Sequence, residues 1–399
     1  MTAHARRLAV LGATGSIGKH TLEVVRQHAG RLEVYALAAR SDWQGMLPLV
    51  HAFRPEVVAM EDADAALALR EALGRHQLAT DIVAGADAVA SVATLTEVDT
   101  VVAGISGFAG LPSAWRAVTA GKRLLLANKE ALVASGRLLL AAAESYGAVV
   151  VPLDSEHNAL HQCLGGLDAP SDRIARLTLT ASGGPFRTRD LPTFSSITPE
   201  EACRHPTWSM GRKISVDSAT LANKGLEVIE AALLYRRSGE DIDVLIHPTS
   251  TVHALVEFVD RSVLAHLGPS NMCVPIAHAL GLPDRLPLAL ERLDLARLGR
   301  LEFFPVDQAR YPMLGLAYRA LAAGQGACLA LNASNEVAVQ AFLDRRIGYP
   351  DIVAVVEETL ARCSIAEPCD IEAVFAADRH VRELAVRAVA DRRQRNVAT

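Results

Sequence analysis

Lysine is scarce in this 399-residue chain: of 40 basic residues only five are lysines, at positions 19, 122, 129, 213 and 224. Nearly every other positive charge is a planar guanidinium, so each compact, tunable ammonium is a candidate for a specific task. Cysteine is sparse too. The six are widely spread, and the closest pair, Cys363 and Cys369, lacks the CxxC spacing of a redox or zinc site. That excludes a disulfide-built scaffold and points to reduced thiols in the cytoplasm. No apolar run approaches the ~18 residues of a membrane span, which excludes a membrane partner of that kind. The basic start, Met1 to Arg7, leads into an apolar run, Leu8–Leu11, that is too short for a signal segment. A net charge of −5 excludes nucleic-acid binding through bulk basicity, while leaving room for a local basic pocket around an anionic metabolite. With 50% hydrophobic and 21% charged residues, the chain is expected to bury a sizeable core.

What is present is an alternation of short apolar runs with helical stretches over the first 150 residues. Strands are expected at Leu8–Leu11, Leu32–Ala38, Val57–Met60, Ile82–Val83, Val101–Ile105, Leu124–Ala127 and Ala148–Val151, with helices such as Asp62–Gly74 between them. Strands spaced by helices imply βαβ units and a parallel sheet, an α/β dinucleotide-binding domain over 1–150. Residues 151–285 change character, with Gly, Ser, Thr, His and Pro in loops and strand-like segments at Leu177–Thr180, Val244–Ile246, Thr251–Phe258 and Ser262–His266. This reads as an α+β domain whose loops carry function. A connector at 286–312 leads to 313–399, where Leu314–Ala323, Ala333–Asp344, Ile352–Cys363 and Ile371–Ala390 have the apolar spacing of a helical bundle.

The turn Gly12-Ala13-Thr14-Gly15-Ser16-Ile17-Gly18 lies between the first strand and the first helix. Glycines there allow close backbone approach, and the helix start offers free N–H groups to a pyrophosphate. After the second strand come Arg40, Ser41 and Asp42, where Arg and Ser suit the 2′-phosphate of NADPH better than the ribose hydroxyls of NAD. Asp154-Ser155-Glu156-His157 follows an apolar strand, Val149–Leu153. In extended backbone Asp154 and Glu156 share a face, and two converging carboxylates call for a hard divalent cation, Mg²⁺ or Mn²⁺. A helix cap explains the same tetrapeptide equally well. His205 to Lys213 combines Trp208 and Met210 with Gly211 and two cations, the composition of a mobile cover over a bound anion. In a helix, Asn223 and Glu227 share a face with Lys224 alongside, a grouping that suits a polyol phosphate and a metal.

The stretches GATGSIG, AGKRLLLANKEALV, PLDSEHNA, LTASGGPF, HPTWSMGRKISVDSATLANKGLE, IHPTSTVHALV, VPIAHAL and LNASNEVAVQAFL occur in order along nearly the whole chain. Together they resemble the 1-deoxy-D-xylulose 5-phosphate reductoisomerase family. The resemblance implies a Rossmann-like NADPH domain, a catalytic domain and a C-terminal helical bundle, assembled as a homodimer in the cytoplasm. It implies NADPH-dependent rearrangement and reduction of a small phosphorylated sugar to 2-C-methyl-D-erythritol 4-phosphate. By the same resemblance Asp154, Glu156 and Glu227 would bind the metal. Ser182, His205, Ser218, Asn223 and Lys224 would surround the substrate phosphate, while Lys129, Ser155 and Glu156 would meet the substrate backbone. Thr14, Gly15, Ser16, Ile17, Asn128, Glu130 and Gly211 would contact NADPH, with Trp208 and Met210 as the cover. The family commonly carries Gly-Lys-Asn where this chain has Arg40-Ser41-Asp42, so its 2′-phosphate contacts differ in detail. A metal-independent NADPH dehydrogenase of another small aldehyde, or a non-catalytic NADPH-binding protein, would share the glycine turn but leave the carboxylates and the lysine-bearing helix unused.

Overall fold

Seven apolar runs, each closed by a turn, build the first sheet of the computed structural model, which describes residues 5–74, 79–167, 171–208 and 210–398. They are β1 (Arg6–Leu11), β2 (Leu32–Ala39), β3 (Val57–Met60), β4 (Asp81–Ala84), β5 (Thr100–Ala103), β6 (Arg123–Leu126) and β7 (Val149–Pro152). All neighbouring pairs are parallel, in the order β4-β3-β2-β1-β5-β6-β7. Order reverses at β1, which lies between β2 and β5, and ligands of open parallel sheets bind beyond the strand ends at such a point. The chain divides into two compact units. The first comprises Met1–Ala131, Leu139–Asn158 and Asn271–Glu291. Its core joins Leu8 and Val10 of β1 to Cys273, Ile276, Ala279 and Leu280 of the helix Cys273–Gly281. That returning segment is also tied by the Arg6 guanidinium, which donates to the carbonyls of Leu280 and, at 3.2 Å, Leu282.

The second unit comprises Leu132–Leu138, Ala159–Ser270 and Arg292–Thr399. Its sheet contains β8 (Ile174–Ala181), β9 (Ile242–Ile246), β10 (Val252–Phe258), β11 (Val263–Leu267) and β12 (Phe304–Pro305), in the order β11-β10-β8-β9-β12. β8 and β9 are parallel and the other pairs antiparallel. β12 falls in the stretch expected to be a plain connector. The terminal helices are Pro312–Ala323, Gln325–Leu343, Tyr349–Arg362 and Ile371–Ala398. They share one core with Val216, Leu226 and Ile229 of the helices Arg212–Thr220 and Ala222–Leu234. The second of the terminal helices starts eight residues before the expected Ala333, because Gly324, at φ +110°, is the only break after Ala323.

The extended conformation expected through Glu156 is not formed. β7 ends at Pro152 and a helix, Ser155–Leu164, begins two residues before His157. The Asn158 N–H donates to the Asp154 carbonyl at 2.8 Å, so Asp154 sits at the helix start and Glu156 in its first turn. The helix-cap alternative describes the local backbone, and alternation along a strand no longer relates the two carboxylates. Among the described residues no helix is long and apolar enough to cross a membrane.

Candidate functional site

In the first unit the glycine turn caps β1 at the reversal of strand order. Gly12 has φ +74°, and a Cβ there would come within 2.6 Å of the Gly104 carbonyl oxygen at the end of β5. Only glycine tolerates both the dihedral and the approach. The helix Ser16–Gln27 that follows has no side-chain cap and no acid in its first turn, so nothing negative opposes an anion at its N-terminus. Thr14 and Ile17 are half-buried there, with Gly15 and Ser16 exposed. Arg40 and Ser41 stand exposed after β2. Asp42 caps the next helix by accepting the Gly45 N–H at 2.9 Å.

Asn128 is 2% exposed and spends its side chain on the fold. Its amide donates to the carbonyls of Ile105 and, at 2.8 Å, Gly107, and its oxygen accepts the Ala131 N–H at 3.0 Å. This fixes the loop after β5 against the start of the helix Lys129–Ser135, whose first residues Lys129 and Glu130 are buried. The Lys129 ammonium pairs with the Asp154 carboxylate, and His157 Nδ1 lies 3.6 Å from the other oxygen of Asp154. Burial alone would raise the Asp154 pKa, but Lys129 and His157 outweigh it and hold the group well below the usual carboxylate range. Ser155 donates its hydroxyl to the neighbouring Glu156 carboxylate.

In the second unit Ser182 follows β8 and is joined to His205. The N–H groups of Trp208 and Thr207 donate to His205 Nδ1 at 2.9 and 3.2 Å, so the ring proton resides on Nε2, which donates to Ser182 Oγ at 3.0 Å. Ser182 Oγ also accepts the Gly184 N–H at 3.1 Å, and its own proton is left to give to an incoming anion. Burial lowers His205 to about 4, matching an imidazole that stays neutral. Gly184, at φ +64°, brings this turn against the end of the helix Arg212–Thr220: a Cβ would lie 2.9 Å from the Ser218 carbonyl oxygen. On the next helix Glu227, 1% exposed, accepts from the Asn223 amide on one oxygen and pairs with Lys224 on the other. Three of the chain's five lysines pair with a largely buried acid: Lys129 with Asp154, Lys213 with Asp217 and Lys224 with Glu227. In the cover, Trp208 and Met210 are half-buried and Gly211 is exposed at the helix start, while Ser209 lies outside the described residues.

One residue escaped the sequence reading. His253, on β10, is 5% exposed, with its ring 6.3 Å from that of Trp208 and 5.6 Å from that of His266. Its trace in the sequence is an imidazole among the apolar residues of an expected strand. Burial first, then the nearby Lys224 charge, lowers it to about 4. The unfolded chain therefore binds a proton between about pH 6.5 and 4 that the folded chain refuses, and stability is lost as pH falls through that window. His253→Gln removes this contribution, of order 3 kcal/mol at most. In chemical unfolding at pH 7 and pH 5, the variant should lose visibly less stability on acidification than the wild type; equal losses would contradict the assignment.

Family models described as 1-deoxy-D-xylulose 5-phosphate reductoisomerase, its C-terminal domain, and the DXP reductoisomerase C-terminal domain match residues 8–136, 150–235 and 267–384. The chain is 49% identical over 386 residues to the 1-deoxy-D-xylulose 5-phosphate reductoisomerase of Tolumonas auensis, covering 95% of this chain and 97% of that one. It is 50% identical over 385 residues to that of Ralstonia pickettii, covering 96% and 97%. A crystal structure of DOX-P reductoisomerase in complex with NADPH, fosmidomycin and magnesium is 42% identical, covers 96% of this chain and 98% of its own, and has a TM-score of 0.92. The Zymomonas mobilis 1-deoxy-D-xylulose 5-phosphate reductoisomerase in complex with NADPH is 39% identical, covers 97% and 99%, and has a TM-score of 0.89. By identity sustained from one end of the chain to the other, it belongs to the 1-deoxy-D-xylulose 5-phosphate reductoisomerase family.

Proposed function

We propose that this chain converts 1-deoxy-D-xylulose 5-phosphate to 2-C-methyl-D-erythritol 4-phosphate with NADPH as reductant, in the non-mevalonate route to isoprenoid precursors. Family membership carries the reading, and the buried polar face of the helix Ala222–Leu234 supports it. In this reading Ser182, His205, Ser218, Asn223 and Lys224 hold the phosphate, which accepts a hydrogen bond from the Ser182 hydroxyl and pairs with the Lys224 ammonium. Lys129, Ser155 and Glu156 face the carbon chain, and Thr14, Gly15, Ser16, Ile17, Arg40, Ser41, Asn128, Glu130 and Gly211 take NADPH. Trp208 and Met210 close over the substrate and exclude water.

Asp154, Glu156 and Glu227 would hold Mg²⁺ or Mn²⁺. Three carboxylates form an all-oxygen donor set for a hard cation, and two of them, Asp154 and Glu227, pair with Lys129 and Lys224. When bound, the ion supplies Lewis-acid stabilisation of the charge that develops on the substrate carbonyl oxygen. Metal-dependent oxidation of NADPH by deoxyxylulose phosphate, with isolation of the branched polyol phosphate, tests the reading. Oxidation that needs no metal and yields no branched product would instead favour a metal-independent NADPH dehydrogenase of another small aldehyde, and no oxidation at all a non-catalytic NADPH-binding protein.

Cofactor choice is open to a separate check. Arg40→Ala should weaken NADPH by about 1–3 kcal/mol, the range for a lost charge-assisted hydrogen bond, and leave NADH nearly unchanged. Equal losses in paired titrations would remove Arg40 from the 2′-phosphate. The family's homodimer is the proposed assembly here, supported by apolar side chains exposed on the outer strands of the second sheet: Val263 and Leu264 on β11 and Phe304 on β12. Sedimentation at micromolar concentration should give twice the chain mass; a single-chain mass would overturn it. The cytoplasm is the proposed compartment, in keeping with six unpaired thiols.

A further inference from the structure

The helix Arg212–Thr220 begins where the covering loop ends, and its last turn carries Ser218. Its placement depends on a side chain that the proposed reaction does not use. Asp217 is 1% exposed, and each carboxylate oxygen has a partner of its own. Oδ1 accepts from Asn335 Nδ2 at 2.8 Å, and Oδ2 lies 2.8 Å from the Lys213 ammonium. Asn335 comes from the helix Gln325–Leu343, 118 residues further on, and is itself 1% exposed. Lys213 stands one residue inside the helix that leaves the loop.

Three things therefore meet at one carboxylate: the root of the cover, the turn bearing Ser218, and a buried helix of the bundle. The root is narrow. Cys203, before the loop, places its Sγ 3.9 Å from the Arg212 carbonyl after it, and Ser215 Oγ donates to the Gly211 carbonyl at 3.0 Å. A buried ion pair is a poor source of stability, since well-packed apolar residues commonly do as well or better. Its two-sided, directional hydrogen bonding does fix geometry, and here the geometry fixed is that of a loop root and a phosphate-facing turn.

We infer that Asp217 is a positioning residue, holding the root of the covering loop and Ser218 in the arrangement that closes over the phosphorylated substrate. This rests on the functional reading above. If Asp217 sets the fraction of molecules in the closing-competent arrangement, its loss raises the apparent substrate constant by the inverse of that fraction, and molecules that do close turn over normally.

The test uses Asp217→Asn and Lys213→Gln in the full chain. In steady-state kinetics each should raise KM for deoxyxylulose phosphate about tenfold, with kcat within about threefold and NADPH affinity within about twofold of wild type. Lys213→Gln alters a side chain that is 24% exposed and keeps a donor for Asp217, so it decides the matter if Asp217→Asn does not fold. A wild-type KM in the variants overturns the inference. So does a fall in kcat matched by weaker NADPH binding, the mark of general loss of folded protein. Tryptic cleavage after Arg204, in the loop, should also accelerate several-fold in both variants. That readout needs no turnover: if the wild type leaves deoxyxylulose phosphate unchanged, the functional reading fails, and an unaltered cleavage rate then sinks the role of Asp217 separately.

Discussion

Glu227→Gln is expected to lower turnover at saturating substrate and millimolar Mg²⁺ by at least ~100-fold, the scale on which removal of one preorganised transition-state contact is felt. The substitution keeps volume and one acceptor oxygen but removes a negative ligand, so the metal concentration giving half-maximal rate should rise sharply as well. The burial of the pair adds a second effect. Glu227 and Lys224 are 1% and 3% exposed, and the variant leaves an ammonium facing a neutral amide. Melting of the metal-free protein should fall, toward the ~3–5 kcal/mol lost when one member of a buried pair is removed. NADPH affinity should stay within about twofold, because the glycine turn belongs to the other unit. Wild-type turnover with wild-type metal dependence would take Glu227 out of the site.

Gly12→Ala should act on the other half of the reaction. At φ +74° an alanine costs ~1–2 kcal/mol in backbone strain, and its Cβ would lie 2.6 Å from the Gly104 oxygen, a backbone atom that cannot rotate away. Relief requires the turn to move off the end of β5, and with it the N–H groups at the start of the helix Ser16–Gln27. A total of about 2–3 kcal/mol corresponds to a loss of NADPH affinity of about 30- to 150-fold. Isothermal titration reads this without turnover. Unchanged affinity would mean that the nucleotide does not use this turn.

The first sheet was legible because its strands are buried on both faces: β1, β3, β5 and β6 are near-continuous apolar runs, and each ends at a glycine or polar turn. The Asn223-Lys224-Glu227 face was legible from helical spacing alone, since all three lie within one turn and a half of helix. What failed did so for local reasons. The run Val149–Leu153 reads as strand to its end, but Asp154, Ser155 and Glu156 are also good helix starters, and the cap prevailed. β12 is two residues long and exists only because β9 offers an edge to pair with, which no window of sequence contains. The tie between Asp217 and Asn335 spans 118 residues, and neither residue type reveals its partner. His253 was obscured in the same way: alternation places an imidazole on a strand face but does not say what that face meets.

The first unit is assembled from three separate stretches of chain, and its core includes Ile276, Ala279, Leu280 and Leu286 from the last of them. During synthesis, the nucleotide-binding sheet emerges early but waits for residues 271–291 to seal its face. At ~5–20 residues per second, the passage of residues 159–270 leaves that apolar surface uncovered for about 6–20 s. Over this interval the nascent chain carries a partly open core while the strands of the next sheet emerge, which is when a holdase has most to offer. Late-emerging residues such as Ile276 thus govern the birth of a fold whose glycine turn is made within the first 20 residues.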